Sequence, residues 1–476
     1  MMTAPSAPIR TVADLRGRRT VVLGMARSGV AACRFLSDAG AVVAVYDRRP
    51  APELTDAVAA LGARPVRLAL GVDEAAATAL LAHADLLVTS PSVSARFPTT
   101  DPWLREALQA AEARGAEVVS EVGLFLRLTR ARVLGVTGTK GKTTTASLVA
   151  AMVEAGGASV VLGGNIGTPL IERADELGPD AWAVLELSEL QLPTIDRGVD
   201  IALYTNIGED HLDRHGTVES YRAVKARLAE LSAPSGRVVL NHDDFGCRAL
   251  GERLAPASLA WYGHDRPGGG PVEAWVEGGM LTVAGERLLP ISEVPLPGRH
   301  MQSNAIGAAL AASLVGIDAP AIAAAIRGFG GVPHRLETLG ERRGIRWVND
   351  SQATIPVATI AALEAFDAPI VLITGGRGKD LEYGELAEVI AQRVRAVVLI
   401  GETAAELETL LAGRVPLRRA GSMDEAVRQA ASLAAPGDVG LLSPAAASFD
   451  MFSDYAARGD AFRAAVAAIS VIGEEA

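Results

Sequence analysis

Short apolar runs rich in Val, Ile and Leu alternate with longer stretches of helical periodicity along nearly the whole chain. Residues 20–24 (TVVLG) predict a strand. Gly-rich punctuation follows, then a helical pattern (VAACRFLSDAG) and a second strand (AVVAVYD) ending at Asp47. Further strands are predicted at 85–90, 116–119, 132–136, 182–187, 200–205 and 237–240. An irregular stretch at 251–300 carries short β-like pieces around WVEGGMLTV, and 302–316 predicts a helix. A last series starts near 345 with IRWVND, PIVLITGG, AVVLIGE and DVGLLSP, each followed by helical pattern. Buried strands in regular alternation with helices predict parallel sheets with crossover helices throughout. The fold class is therefore α/β, with three doubly wound domains breaking near 131 and 331.

The length of 476 residues suits that number of domains. The net charge of −11 disfavours a nucleic-acid partner or a membrane-surface protein, since either would need a basic face. No apolar run approaches the roughly 20 residues that span a bilayer, and the first residues lack a signal-peptide pattern. Two cysteines, Cys33 and Cys247, exclude a disulfide scaffold and a cysteine-ligated zinc site. A cytoplasmic, monomeric protein is expected.

One compositional feature narrows the chemistry. Of 45 basic residues only four are lysine: Lys140, Lys142, Lys225 and Lys379. An ammonium on a flexible stem can lose its proton or form a covalent adduct, which a guanidinium does not. Two of the four sit in RVLGVTGTKGKTTT, residues 132–145. Val136 occupies the first glycine position of a strict Walker sequence, and G-x-x-G-K-T remains. Gly138 and Gly141 allow the backbone N–H groups to turn inward at phosphate oxygens, with Thr139, Lys140 and Thr144 in the same loop. Lys142 can reach the β- and γ-phosphates, and the Thr143 hydroxyl can ligate Mg²⁺. ATP is favoured over GTP because no guanine-reading motif is present. An earlier glycine loop, GMARSG at 24–29, keeps Gly24 and Gly29 but has Ala26 at the middle position of a dinucleotide fingerprint. It reads as a plain tight turn, a nicotinamide dinucleotide site or a UDP site, with Asp47 as the expected ribose-binding acid.

Glu186 ends an apolar strand, where a Mg²⁺ carboxylate is expected beside the phosphate loop. His211 lies among Glu209, Asp210 and Asp213 in NIGEDHLDRHG and is either structural or a metal ligand. Lys225 follows on a helical pattern, SYRAVKARLAE. By position alone it reads as a solvated helix-face cation. The scarcity of lysine raises a second reading, in which CO₂ converts it to a carbamate that ligates metal. His215, His242 and both cysteines read as structural.

These motifs resemble those of the Mur ligase family over essentially the full length, most closely its glutamate-adding branch. The resemblance rests on TGTKGKTTT, GGNIG (163–167), ELSELQL (186–192), NIGEDHLDRHG with YRAVK downstream, PHRLE (333–337), NDSQAT (349–354), GGRGK (375–379) and SPAAASFDMF (443–452). It implies a Rossmann-like UDP-sugar domain at 1–130, a P-loop ATP-binding domain at 131–331 and a Rossmann-like amino-acid domain at 332–476. The implied reaction is ATP-dependent amide ligation in peptidoglycan-precursor synthesis, hence cell-wall growth, cell shape and division. It adds glutamate to UDP-N-acetylmuramoyl-L-alanine through an acyl phosphate, with domain closure excluding water from that intermediate. By resemblance, Thr143 and Glu186 hold one Mg²⁺, while His211 and carbamylated Lys225 hold a second. Asn165 lies between ATP and the UDP-sugar. Asn304, His334, Arg335 and Asp350 match nucleotide-side positions. Gly24, Ser28, Gly29, Asp47, Arg48 and Ser92 match the UDP site. Thr354, Lys379, Ser448, Phe449 and Tyr455 match the glutamate pocket.

Departures from the family pattern cluster away from the phosphate loop. Gln352 and Ile355-Pro356 alter the NDSKATN motif, and Phe449 replaces a leucine. Glu189-Leu190, Met301 and Ser92 are further replacements. ATP-driven ligation stands, and D-glutamate is favoured over L-glutamate. A folyl-polyglutamate-type or other Mur-type ligase, a nucleotide sensor and a dehydrogenase are the competing classes.

Overall fold

The computed structural model describes residues 8–97, 99–209, 217–266, 272–295, 298–378 and 381–469. The chain divides into two compact units, Met1–Phe329 and Gly330–Ala476.

The first unit contains two sheets. One comprises β1 (Arg19–Leu23), β2 (Val42–Asp47), β3 (Arg67–Leu70), β4 (Leu86–Thr89) and β5 (Glu117–Ser120). Its order is β3-β2-β1-β4-β5, all parallel. The order reverses between β1 and β4, and ligand crevices open at the carboxyl ends of strands at such a switch point. The second sheet holds β6 (Arg132–Thr137), β7 (Val160–Gly164), β8 (Trp182–Glu186), β9 (Ile201–Tyr204), β10 (Arg237–Asn241) and β11 (Leu259–Tyr262). It continues through β12 (Val272–Glu277), β13 (Met280–Val283) and β14 (Glu286–Pro290), in the order β14-β13-β12-β11-β10-β9-β6-β8-β7.

The segment joining the two sheets is buried. The helix Glu121–Leu128 is apolar on nearly every side, and Val122, Leu124, Phe125 and Leu126 are at most 3% exposed. A helix of that kind must be covered all round. One apolar cluster accordingly runs from Val22, Leu36 and Val88 through Phe125 to Ile171, Leu187 and Leu228.

The second unit is a six-stranded sheet: β15 (Glu337–Arg342), β16 (Ile345–Asn349), β17 (Ile370–Gly375), β18 (Val394–Ile400), β19 (Leu417–Arg419) and β20 (Val439–Leu442). Its order is β15-β16-β20-β17-β18-β19. Neighbouring residues feed opposite faces: Val348 and Leu372 join one core cluster, Trp347 and Val371 the other. Both faces are covered, as a central parallel sheet requires.

The expectation of parallel pairing throughout needs correction at two edges. The β12-β13-β14 meander and the β15–β16 pair are antiparallel. Each is closed by two residues of positive φ: Gly278-Gly279, Ala284-Gly285 and Arg343-Gly344. Turns of this hand match the twist of paired strands and send the chain straight back. Among the described residues, no helix is long and apolar enough to cross a membrane.

Candidate functional site

The phosphate loop runs from the end of β6 into the helix Lys142–Ala155. Gly138 and Gly141 have φ of 149° and 86°. A Cβ on Gly138 would lie 1.9 Å from Thr205 Oγ1, and one on Gly141 2.7 Å from the Asn304 amide. Neither position accepts a side chain. Asn304, 5% exposed on the helix Arg299–Val315, therefore packs directly on the loop. The strand after β6 in space braces the loop from below. Thr139 N–H donates to the Asn206 carbonyl (2.9 Å), and Lys140 N–H to Asn206 Oδ1 (2.9 Å). Thr205 Oγ1 donates to the Lys140 carbonyl (2.6 Å). The Lys142 ammonium folds over the loop and donates to the carbonyls of Gly138 (3.0 Å) and Thr139 (2.9 Å). Thr143 is buried and Thr144 half-buried in the first turn of the helix, whose N-terminal amides face the loop.

Glu186 sits at the carboxyl end of β8, paired in register with Val136 of β6 and Gly164 of β7. It is 2% exposed. Its Oε1 accepts from Asn165 Nδ2 (2.8 Å), and its carbonyl accepts from Asn165 N–H (2.8 Å). Oε2 is buried and has no hydrogen-bond partner among the described residues. A buried carboxylate oxygen without a donor is costly unless a cation faces it. Lys225 is fully buried, which corrects the reading of a solvated helix-face cation. Its helix, Val218–Ser232, lies with Lys225 turned beneath the phosphate loop, where Nζ donates to the Gly138 carbonyl (2.9 Å). Tyr221, one turn earlier, reaches Thr139 Oγ1 at 3.1 Å. His211 and Lys379 lie outside the described residues. Among those described, no three His, Cys, Asp or Glu side chains come together as a metal site.

The first glycine loop follows β1 into the helix Arg27–Asp38. Gly24 has φ of 96° and lies beside Ser90 at the end of β4, and Ser90 Oγ is 3.1 Å from Ser92 Oγ. Gly29 allows the helix to approach, since a Cβ there would sit 1.9 Å from the Gly24 carbonyl oxygen. Ser28 is half-buried at the helix start, and Arg48 is exposed. Asp47 is not the open ribose acid expected. Oδ2 accepts from Met25 N–H (2.8 Å) and Arg49 Nη2 (2.8 Å); Oδ1 accepts from Arg49 N–H (3.0 Å) and Nε (3.0 Å). Those four bonds use the lone pairs of an ionised carboxylate. Burial pushes its pKa up, but the bonds from Arg49 and Met25 outweigh burial and hold it at about 2. Asp47 braces the turn, and the arginine that serves it is Arg49 rather than Arg48.

In the second unit, the ends of β16, β17 and β20 bring NDSQAT, GGRG and SPAAAS to one edge of the sheet. Asp350 is 5% exposed, accepting from Ser443 Oγ (2.8 Å) and Leu336 N–H (3.1 Å). Burial pushes its pKa up to about 6, against those bonds and the charge of the exposed Arg335. His334 adopts φ of 62°, and its Nδ1 accepts from Asn349 Nδ2 (3.0 Å). Burial keeps its pKa below the usual histidine range. His334, Arg335 and Asp350 belong to this unit, and the phosphate loop and Asn304 to the other. Thr354 and Tyr455 are half-buried, Ser448 is buried, and Phe449 stands 60% exposed. Arg458, which sequence reasoning missed, is 1% exposed. It donates to Ser351 Oγ (3.0 Å), the Ser351 carbonyl (2.9 Å) and the carbonyls of Ala446 (3.0 Å) and Ala447 (3.1 Å). It thus ties two of the three motif loops together.

Comparison with known proteins bears on this arrangement. Residues 18–120 match the Mur ligase MurD-like N-terminal domain, 136–312 the Mur ligase middle domain, and 334–446 the Mur ligase glutamate ligase domain. A protein of Solibacter usitatus, named UDP-N-acetylmuramoylalanine--D-glutamate ligase, is 40% identical over 94% of this chain and 97% of its own. A protein of the same name from Anaeromyxobacter dehalogenans is 42% identical over 94% of this chain and 97% of its own. The chain belongs to the Mur ligase family. The solved UDP-N-acetylmuramate-alanine ligase of Thermotoga maritima shares the fold, with a TM-score of 0.50 at 18% identity, covering 94% of this chain and 98% of that one.

Within this Mur ligase, the residues present fit nucleotide and a divalent cation. The Gly138–Gly141 cradle admits no Cβ, and Glu186 Oε2 is buried without a donor among the described residues. Of the residues missed, Asn206 lay inside a recognised motif but looked like a loop residue. Tyr221 carried a helical-spacing signal, four residues before Lys225. Arg49 and Arg458 carried none in a chain where arginine is the default cation.

Proposed function

We propose that this Mur ligase joins D-glutamate to the alanine carboxylate of UDP-N-acetylmuramoyl-L-alanine, converting ATP to ADP and phosphate. The observation that carries the reading is the buried oxygen of Glu186, without a donor among the described residues, at a strand end beside a Gly-rich loop topped by Lys142. The names of the relatives support the substrate and the D enantiomer.

A carboxylate does not accept an amine, because its leaving group would be oxide. In the proposed sequence a carboxylate oxygen takes the γ-phosphoryl group and ADP leaves. The glutamate ammonium loses one proton to solvent, its nitrogen then bonds to the acyl carbon, and the tetrahedral adduct gives up a second proton to solvent. The carbon–oxygen bond to phosphate breaks, and phosphate departs. In the first step two anions approach one another. Lys142 and the amides of Gly138, Gly141, Thr143 and Thr144 offset that repulsion at the phosphates, while the amides of Thr139 and Lys140, bonded to Asn206, hold the loop in shape. Asn304 lines the nucleotide side, and Asn165 orients the incoming carboxylate next to Glu186. Thr143 and Glu186 would hold one Mg²⁺, and His211 with carbamylated Lys225 a second; when bound, these ions neutralise the charge developing on the transferred group. Gly24, Ser28, Gly29, Arg48 and Ser92 would take the UDP moiety, with Asp47 bracing their loop. Thr354, Lys379, Ser448, Phe449 and Tyr455 would take glutamate, and the family resemblance matches His334, Arg335 and Asp350 to nucleotide-side positions. The enzyme works as a cytoplasmic monomer in peptidoglycan-precursor synthesis.

The test supplies ATP, Mg²⁺, UDP-N-acetylmuramoyl-L-alanine and each glutamate enantiomer separately. Phosphate release with D-glutamate is expected. Release with L-glutamate alone would reverse the enantiomer, and release with neither would overturn the reading.

A further inference from the structure

The loop that carries Asn165 is held from more than one side. Its own strand β7 ends at Gly164, and an isolated bridge pairs Gly163 with Thr168, closing the turn at its neck. On one side Asn165 is bonded twice to Glu186. On another, Arg27 from the first glycine loop donates to the Gly167 carbonyl (2.6 Å). Just past the turn lies the one-turn 3₁₀-helix Ile171–Arg173, and its first amide, Ile171 N–H, donates to Glu121 Oε1 (3.1 Å).

Glu121 is an unusual residue to find there. It is 5% exposed, at the start of the apolar helix Glu121–Leu128, among core side chains. Burying a carboxyl is costly unless it is bonded. Its bond is to a main-chain amide 50 residues away, at the base of the Asn165 loop. Ile171 is itself fully buried, so without Glu121 its N–H would be a buried donor lacking this acceptor. Glu172 beside it is occupied by Arg34 (3.0 Å) on the helix that follows the first glycine loop.

We infer that Glu121 is a positioning residue for the ligation reaction: by capping Ile171 it fixes the base of the 163–171 loop, and so the placement of Asn165 against Glu186. The inference rests on the ligase reading above. Glu121, buried at the start of the Glu121–Leu128 helix, acts through Asn165.

The test compares Glu121→Leu, which removes the acceptor, with Glu121→Gln, which retains one. The Leu variant should exchange the Ile171 amide and its loop neighbours faster than wild type. Its kcat should fall on the order of ten- to a hundredfold, the scale of a displaced orienting group, while KM for ATP stays within about twofold. The Gln variant should recover kcat to within about threefold of wild type. Adding Asn165→Ala to Glu121→Leu should cost little more than Asn165→Ala alone, because the two act as one unit. A folded Leu variant with fast loop exchange and wild-type kcat would overturn the inference. So would a Gln variant no better than Leu, or strictly additive losses. If wild type shows no turnover, the ligase reading fails on its own, and the exchange measurement still decides the tie: unchanged exchange in Glu121→Leu would refute it.

Discussion

Glu121 also makes a quantitative prediction about stability. Burial, reinforced by the charge of Glu172 and opposed by the Ile171 amide, pushes its pKa from 4.5 up to about 7. A carboxyl whose pKa is higher in the folded state favours folding while it is protonated. That contribution is fully present below pH 4.5 and is lost as pH rises through about 7. At about 1.4 kcal/mol for each pH unit between the two values, the loss is roughly 3 kcal/mol. Glutamine has the same shape, retains an acceptor for Ile171 N–H and does not ionise. Glu121→Gln should therefore gain stability relative to wild type by roughly 3 kcal/mol between pH 4.5 and pH 8. Urea denaturation of both proteins in parallel at pH 5, 6, 7 and 8 measures it. Taking the difference between variant and parent cancels the other titrating groups, including the Arg34–Glu172 pair. A difference that stays flat across this range would show that Glu121 ionises as freely in the folded protein as in the unfolded chain, and the burial argument would fail.

Other expectations follow from the site. Lys225→Arg should lower phosphate release by at least about a hundredfold with the fold intact, because a guanidinium does not take up CO₂; in Lys225→Ala, added acetate should restore part of the turnover, and near-normal activity in the Arg variant would refute the carbamate. Gly141→Ala forces a Cβ to 2.7 Å from the Asn304 amide at positive φ, and a nucleotide-binding titration should show affinity reduced about tenfold or more. Asp47 has its pKa lowered to about 2, so its contribution is present above pH 3.8 and lost as pH falls through about 2; Asp47→Asn should cost about 2 kcal/mol at pH 7 and little at pH 2, read from paired denaturation curves. Arg458→Met leaves the buried carbonyls of Ser351, Ala446 and Ala447 without this donor and should destabilise the second unit by about 1–3 kcal/mol, followed through the fluorescence of its buried Trp347.

The elements and chemistry that could be read along the chain are those encoded by neighbouring residues. The phosphate loop follows from a strand, two glycines and a helix start within ten positions. Glu186 follows from its place at the end of an apolar run. The strands β3, β7 and β19 escaped notice because none is a buried apolar run: β3 and β19 carry exposed arginines, and β7 is mostly half-buried and ends in two glycines. The antiparallel edges were missed although Gly278-Gly279 lies inside the WVEGGMLTV stretch, since a hairpin turn says nothing about which sheet it extends.

What the amino-acid sequence determined by itself was the alternation of strands and helices, the cradle for phosphate and the shortlist of chemically able side chains. The tertiary structure alone decided how those side chains are used. It buried Lys225 beneath the loop, closed all four acceptor positions of Asp47 with Arg49 and Met25, and paired Glu121 with an amide 50 residues away. The physical reason is range. Backbone conformation and periodicity depend on residues within a turn or two of each other, whereas burial and partner choice depend on which distant segments the packed sheets bring together.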